Sequence, residues 1–112
     1  MPDTPNGDLF DRLAEDFAGD GDVATGTMFR SPGLRVRGKV FAFLGHRGGL
    51  IVKVPGDRIG ELVAAGTGEQ VVMGTRTMRE WIEVPAGNDR TATLALWRDL
   101  AREAHQYVGS LR

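Results

Sequence analysis

The side chains able to do chemistry are few and scattered. The chain has no cysteine, and its only histidines are His46 and His105. Without a thiol there are no disulfides, no thiolate nucleophile and no cysteine-ligated zinc or iron–sulfur cluster. His46 falls in a turn and His105 on the border of a helical apolar face, and neither has an acidic neighbour at metal-ligand spacing. Ser31 and Ser110 are the only serines, and neither sits in a G-x-S-x-G elbow. Asp20 and Asp22 look like the start of a calcium loop, but the later oxygen ligands and the closing Glu are missing. Gly19 to Ala24 reads G-x-G-x-x-A, yet it follows a helical pattern, whereas a dinucleotide fingerprint follows a strand and opens a helix. Gly66-Thr67-Gly68-Glu69 lacks the Lys-Ser/Thr pair of a phosphate-binding loop. The expectation is therefore no catalytic residue, no metal and no cofactor, in a protein that is not an enzyme.

Two surfaces stand above this background. Seven bases (Arg30, Arg35, Arg37, Lys39, Arg47, Lys53, Arg58) against one acid, Asp57, fall between Arg30 and Arg58. Arg35, Arg37, Lys39 and Arg47 lie where turns would expose them, and mobile cations of this kind contact phosphate, with Phe29, Phe41 and Phe43 available to stack bases. They are the candidate nucleic-acid contacts. The simpler expectation is that the phenylalanines are core, the cations are solvated, and the acidic first helix packs near the basic strands and neutralises them. That helix lies in Met1–Val23, which has seven acids against Arg12 alone.

The second surface comes from periodicity. A sheet covered on one face by helices alternates apolar and polar residues. Val40-Phe41-Ala42-Phe43-Leu44 and Leu50-Ile51-Val52 do not alternate, so both faces of these strands are apolar. An uncovered apolar face usually marks an interface. Phe41, Phe43 and Ile51, with Trp81 as an anchor, are the candidate interaction surface. The occupant would be a partner protein or a second copy of the chain.

The elements that must position these residues follow from the same patterns. Met1–Gly7 has two prolines and an Asn-Gly step and is expected to be flexible, leaving a single domain over 8–112. A helix is predicted over 8–18, from Leu9, Phe10, Leu13 and Phe17 on one face. Strand character runs through Thr25–Arg30, with Ser31-Pro32-Gly33 as a break, and Leu34 to Val36 either resuming that strand or belonging to a loop. Strands follow at 39–44 and 50–54 around the turn Gly45–Gly49. A helix is predicted over 55–65, with Pro55 at its first position, then strands at 69–73 and 78–84. The last helix, over 91–109, carries Leu94, Trp97, Leu100, Ala101, Ala104 and Val108 on one face. The fold class is α+β: a two-layer, antiparallel five-stranded sheet in the order α-β-β-β-α-β-β-α. No run of 20 apolar residues suggests a membrane span. The polar, acidic start is unlike a signal peptide, so a cytoplasmic protein is expected.

Met28-Phe29, Gly33-Leu34, Gly38-Lys39-Val40-Phe41-Ala42, Val52-Lys53, Gly66 and Met78-Arg79-Glu80-Trp81 resemble, in order and spacing, the TfoX N-terminal-domain family in its stand-alone short form. The resemblance implies the same element order, in an architecture similar to secretion-chaperone domains. It implies no catalytic residue, cofactor or substrate. That family's competence regulators usually carry a second helical domain, for which 112 residues leave no room, so a regulatory or protein-interaction module is expected here without the competence role.

Overall fold

Apolar residues at helical spacing and β-branched or aromatic residues in short runs give three helices and six strands among the described residues. The computed structural model describes residues 5–28 and 31–111. In chain order the elements are α1 (Gly7–Glu15), β1 (Val23–Met28), β2 (Ser31–Val36), β3 (Lys39–Leu44), β4 (Leu50–Lys53), α2 (Gly56–Ala64), β5 (Glu69–Met73), β6 (Arg76–Val84) and α3 (Arg90–Ser110). The strands form one sheet in the order β1-β2-β3-β4-β6-β5, and every neighbouring pair is antiparallel.

The expected fold class and layer arrangement hold, but the sheet has six strands where five were expected. The difference lies before β3. β1 pairs antiparallel with β2 along its whole length, from Val23 opposite Val36 to Met28 opposite Ser31. Pro32 and Gly33 look like a break in the sequence, yet they lie inside β2, with Pro32 opposite Thr27. Phe29 and Arg30, assigned to this stretch from sequence, lie outside the described residues. Of the N-terminal residues expected to be flexible, 1–4 also lie outside them. Asn6 is held in place: its side-chain Nδ2 donates to the Gly48 carbonyl at 2.9 Å.

One core joins the three helices to one face of the sheet. Leu9, Phe10 and Leu13 of α1, Ile59 and Leu62 of α2, and Leu94, Trp97, Leu100, Ala101, Ala104 and Val108 of α3 meet Leu34, Ala42, Leu44, Leu50, Val52, Ile82 and Val84. The long α3 is well started, because the Asp89 side chain accepts from the Ala92 N–H at 3.0 Å, satisfying one of the helix's unpaired donors.

Phe41 breaks strand alternation in β3. Leu34 pairs with Ala42 and the adjacent Arg35 with Val40, so β3 has one residue more than β2 at this point. This is a β-bulge at Phe41, and it turns Phe41 and Ala42 both toward the helices. Phe41 is fully buried in the core. It packs edge-on against Phe17 and His105 at ring-centroid distances of 5.4 and 5.3 Å. Phe41 is therefore corrected from an interaction residue to a core residue. Among the described residues no helix is long and apolar enough to cross a membrane.

Truncating a buried aromatic leaves a cavity as well as losing transfer free energy, together costing about 3–5 kcal/mol. Phe41→Ala is expected to lose that much in denaturant unfolding. Val72→Ala, at an edge-strand position 58% exposed, should stay within about 0.5 kcal/mol of the parent.

Candidate interaction face

With every helix on one side, the other face of the sheet is built by strand register alone. Gly33, Phe43, Ile51, Glu83 and Glu69 lie opposite one another in a row across β2, β3, β4, β6 and β5. The neighbouring row places Lys53 directly opposite Trp81. Phe43 and Ile51 are each only 7% exposed and belong to no helix-facing core. Trp81 is half-buried. Its ring meets Phe43 edge-on at 5.7 Å, an arrangement worth about 0.5–1.5 kcal/mol beyond burial. The Lys53 ammonium sits 5.8 Å from the centroid of the same indole, within cation–π range. Three of the four expected interaction residues, Phe43, Ile51 and Trp81, thus share the helix-free face.

An irregularity in β5 and β6 keeps Trp81 open on one side. Gln70 pairs with Ile82, but the next residue, Val71, pairs with Met78, so Arg79, Glu80 and Trp81 have no partner on β5. The Gln70 side chain bridges the gap, its Nε2 donating to the Arg79 carbonyl at 3.2 Å.

The face is electrically divided. At the hairpin end, Glu69 and Glu83 are directly opposite each other and line a cavity of about 300 Å³ with Arg47 and Asn6. Like charges in that position are destabilising by up to about 1 kcal/mol, and Arg47 is the cation lining the same cavity. Room for the Glu83 side chain comes from Gly49 and Gly45, where an added Cβ would approach its Oε2 to 2.7 and 2.9 Å. At the other end, Lys53, Arg76 and Arg79 line a cavity of about 550 Å³ with Trp81.

The basic run does not form one surface. Arg37 and Lys39 flank the β2–β3 turn, Arg35 is exposed on β2, and Arg47 lies in the β3–β4 turn at the opposite end of β3. Six residues of strand separate the two turns, roughly 20 Å. Arg37 is 3.7 Å from Asp22, Lys53 is 3.8 Å from Glu80, and Arg58 makes a two-pronged contact with Glu103 at 2.9 and 3.0 Å. The hydrogen bonds from Arg58 to Glu103 and then Glu61 push its pKa up from an already basic value.

The acids of α1 and its following turn neutralise α3 rather than the basic strands. Asp8 pairs with Arg90, Asp16 lies 2.8 Å from Arg98 and 3.6 Å from Arg102, and Asp20 lies 3.2 Å from His105. The hydrogen bond from Arg90 lowers the Asp8 pKa. Among the described residues, only Asp22 of this acidic segment forms an ion pair with the basic run, with Arg37.

Arg76 and Arg79 were not singled out from sequence, because they fall beyond the Arg30–Arg58 run. The signal was present in β6: Ile82 and Val84 face the core, so alternation puts Trp81 and Arg79 on the other side.

Behind this face, Tyr107 of α3 donates a hydrogen bond to the Glu80 carboxylate. That bond, followed by desolvation, raises the tyrosine pKa. The sign is that of an acid holding its proton more tightly when folded. Its stabilisation is complete below the unfolded tyrosine pKa of about 10 and is lost as pH climbs past that value toward the raised folded one. Tyr107→Phe should lower stability at pH 7 by about 1–3 kcal/mol and flatten the decline above pH 10, measured by urea unfolding across that range.

The family model described as YjbR matches residues 21–107, which spans β1 through most of α3. Searches of curated proteins and of solved structures find no match. The YjbR match overturns the resemblance to the TfoX N-terminal-domain family. Most of the residues that carried that resemblance are apolars and glycines, which any antiparallel meander with packed helices requires, and their order does not separate one such family from another. From β1 to α3 the match is continuous, and the chain belongs to the YjbR family.

Proposed function

We propose that this chain is a binding module rather than an enzyme, and that it engages a partner protein or a second copy of itself through the helix-free face around Trp81. One observation carries the reading: all three helices pack on one side of the sheet, leaving Trp81 half-buried on the other beside Phe43 and Ile51. A rigid aromatic with one side open and a well-packed surround is the usual form of an interface anchor. The flanking charges, acidic at Glu69 and Glu83 and basic at Lys53, Arg76 and Arg79, would set the orientation of the bound partner.

The alternative is a nucleic-acid-associated regulator using Arg35, Arg37, Lys39 and Arg47. Arg35, Lys39 and Arg47 make no ion pair among the described residues, which favours it. The separation of Arg47 from the other three and the net charge of −1 weigh against it.

Two measurements test these readings. Light scattering after size exclusion should give either a concentration-dependent dimer of the 12.1 kDa chain or a monomer. In the second case, affinity capture from the native lysate should retain proteins that Trp81→Ser loses while its unfolding midpoint stays near the parent's. Capture profiles identical for parent and variant, with a monomer throughout, would reject the face as an interface. The nucleic-acid reading instead requires salt-sensitive retention of DNA or RNA that the triple substitution of Arg35, Arg37 and Lys39 by Ala abolishes.

A further inference from the structure

We infer that the cavity beside Trp81 is a binding site for a small planar ring carrying a phosphomonoester, of the nucleoside monophosphate class. The cavity, about 550 Å³ in volume, is within the range of small-ligand sites. Its wall holds three cations, Lys53, Arg76 and Arg79, against one carboxylate, Glu80, an excess of two positive charges. That carboxylate is already engaged, lying 3.8 Å from the Lys53 ammonium and accepting from Tyr107. Arg76 and Arg79 are exposed and make no ion pair among the described residues. A phosphomonoester carries about −1.5 to −2 charges at pH 7, which matches the excess, and arginine meets it through two parallel N–H donors.

Two further features fit the rest of such a ligand. The Trp81 indole lines the cavity and is only half-buried, so it offers a flat ring a stacking surface beside Lys53. The start of α2 also borders the cavity at Gly56. That helix has no side-chain cap at its N-terminus, which leaves backbone N–H donors there for an anion, while Asp57 in its first turn offsets part of the helix dipole. The same chemistry occurs in phosphotyrosine and at a 5′-phosphorylated nucleic-acid end. The nucleotide is favoured because the charged groups are confined to one cleft and the chain as a whole has a net charge of −1, unlike a surface built to follow a polyanion. The ligand would share Trp81, Arg76 and Arg79 with the proposed interface, so nucleotide and partner would compete for this site.

The test is titration of the full chain with adenosine 5′-monophosphate, followed by tryptophan fluorescence and calorimetry. The only other tryptophan, Trp97, is fully buried, so a quench reports on Trp81. The expected result is saturable quenching that weakens with added salt. Adenosine and inorganic phosphate, each supplying half of the recognition, should bind at least about tenfold more weakly. Arg76→Ala and Arg79→Ala should each weaken nucleotide binding by about tenfold, roughly 1.4 kcal/mol, with unchanged unfolding midpoints because both side chains are exposed. Trp81→Phe should retain binding by calorimetry while the fluorescence change disappears. The inference is overturned by an absence of saturable binding, by binding indifferent to both arginine substitutions, or by tighter binding of a phosphotyrosine peptide or a 5′-phosphorylated oligonucleotide than of the mononucleotide.

Discussion

The extra residue in β3 decides which way this sheet faces. With strict alternation, Phe41 and Phe43 would share a face and the helix layer would lack its central aromatic. The bulge between Leu34–Ala42 and Arg35–Val40 sends Phe41 to the helices and Phe43 to the opposite side. Phe41 then closes a three-ring cluster with Phe17 and His105, which locks the turn after α1 against α3. Phe43, released to the other face, becomes the packing partner of Trp81. One added residue therefore supplies the keystone of the core and the floor of the candidate interaction face. A bulge is well suited to this, because it re-aims one side chain without changing the strand order.

Charge distribution follows from the same one-sided packing. Because α1 lies on α3 and not over the sheet's other face, its acids meet Arg90, Arg98 and Arg102. These contacts are partly exposed, so each adds little to stability. Their larger effect is to use the acidic segment of the chain on the helix side. The sheet's free face keeps its own charges, with Glu69 and Glu83 at one end and Lys53 beside Trp81 at the other.

Much of the fold was legible in the sequence, and what was missed has identifiable causes. Period-3.6 stripes located all three helices, because Leu, Ile and Trp at those spacings have no other way to be buried together. The strands from β3 onward were legible for the same kind of reason. The division between β1 and β2 was not, because Pro32 and Gly33 are breakers by local preference, whereas tertiary pairing with Thr27 and Gly26 overrides that preference. The non-alternating run in β3 correctly signalled apolar residues on both faces, yet it could not say which phenylalanine went where. That depends on a register slip against Leu34 and Arg35, a non-local relation no single segment contains. Trp81 was legible as an aromatic anchor, but its position beside an unpaired stretch of β6 depends on the register against Gln70 and Val71.

The basic run shows why proximity in sequence misleads on a meander. Consecutive antiparallel strands carry successive turns to alternate ends of the sheet, so cations placed in adjacent turns are driven apart. Arg37 and Arg47, ten positions apart, flank opposite ends of β3. Residues distant in sequence but opposite in register are brought together instead, as Lys53 is to Trp81. The cations that do converge, Lys53, Arg76 and Arg79, come from β4 and β6, which neighbour each other only because β5 is placed outside β6. A functional cation cluster in this fold is thus a property of strand order. The place to look for one is across neighbouring strands, here where β4 and β6 meet the start of α2.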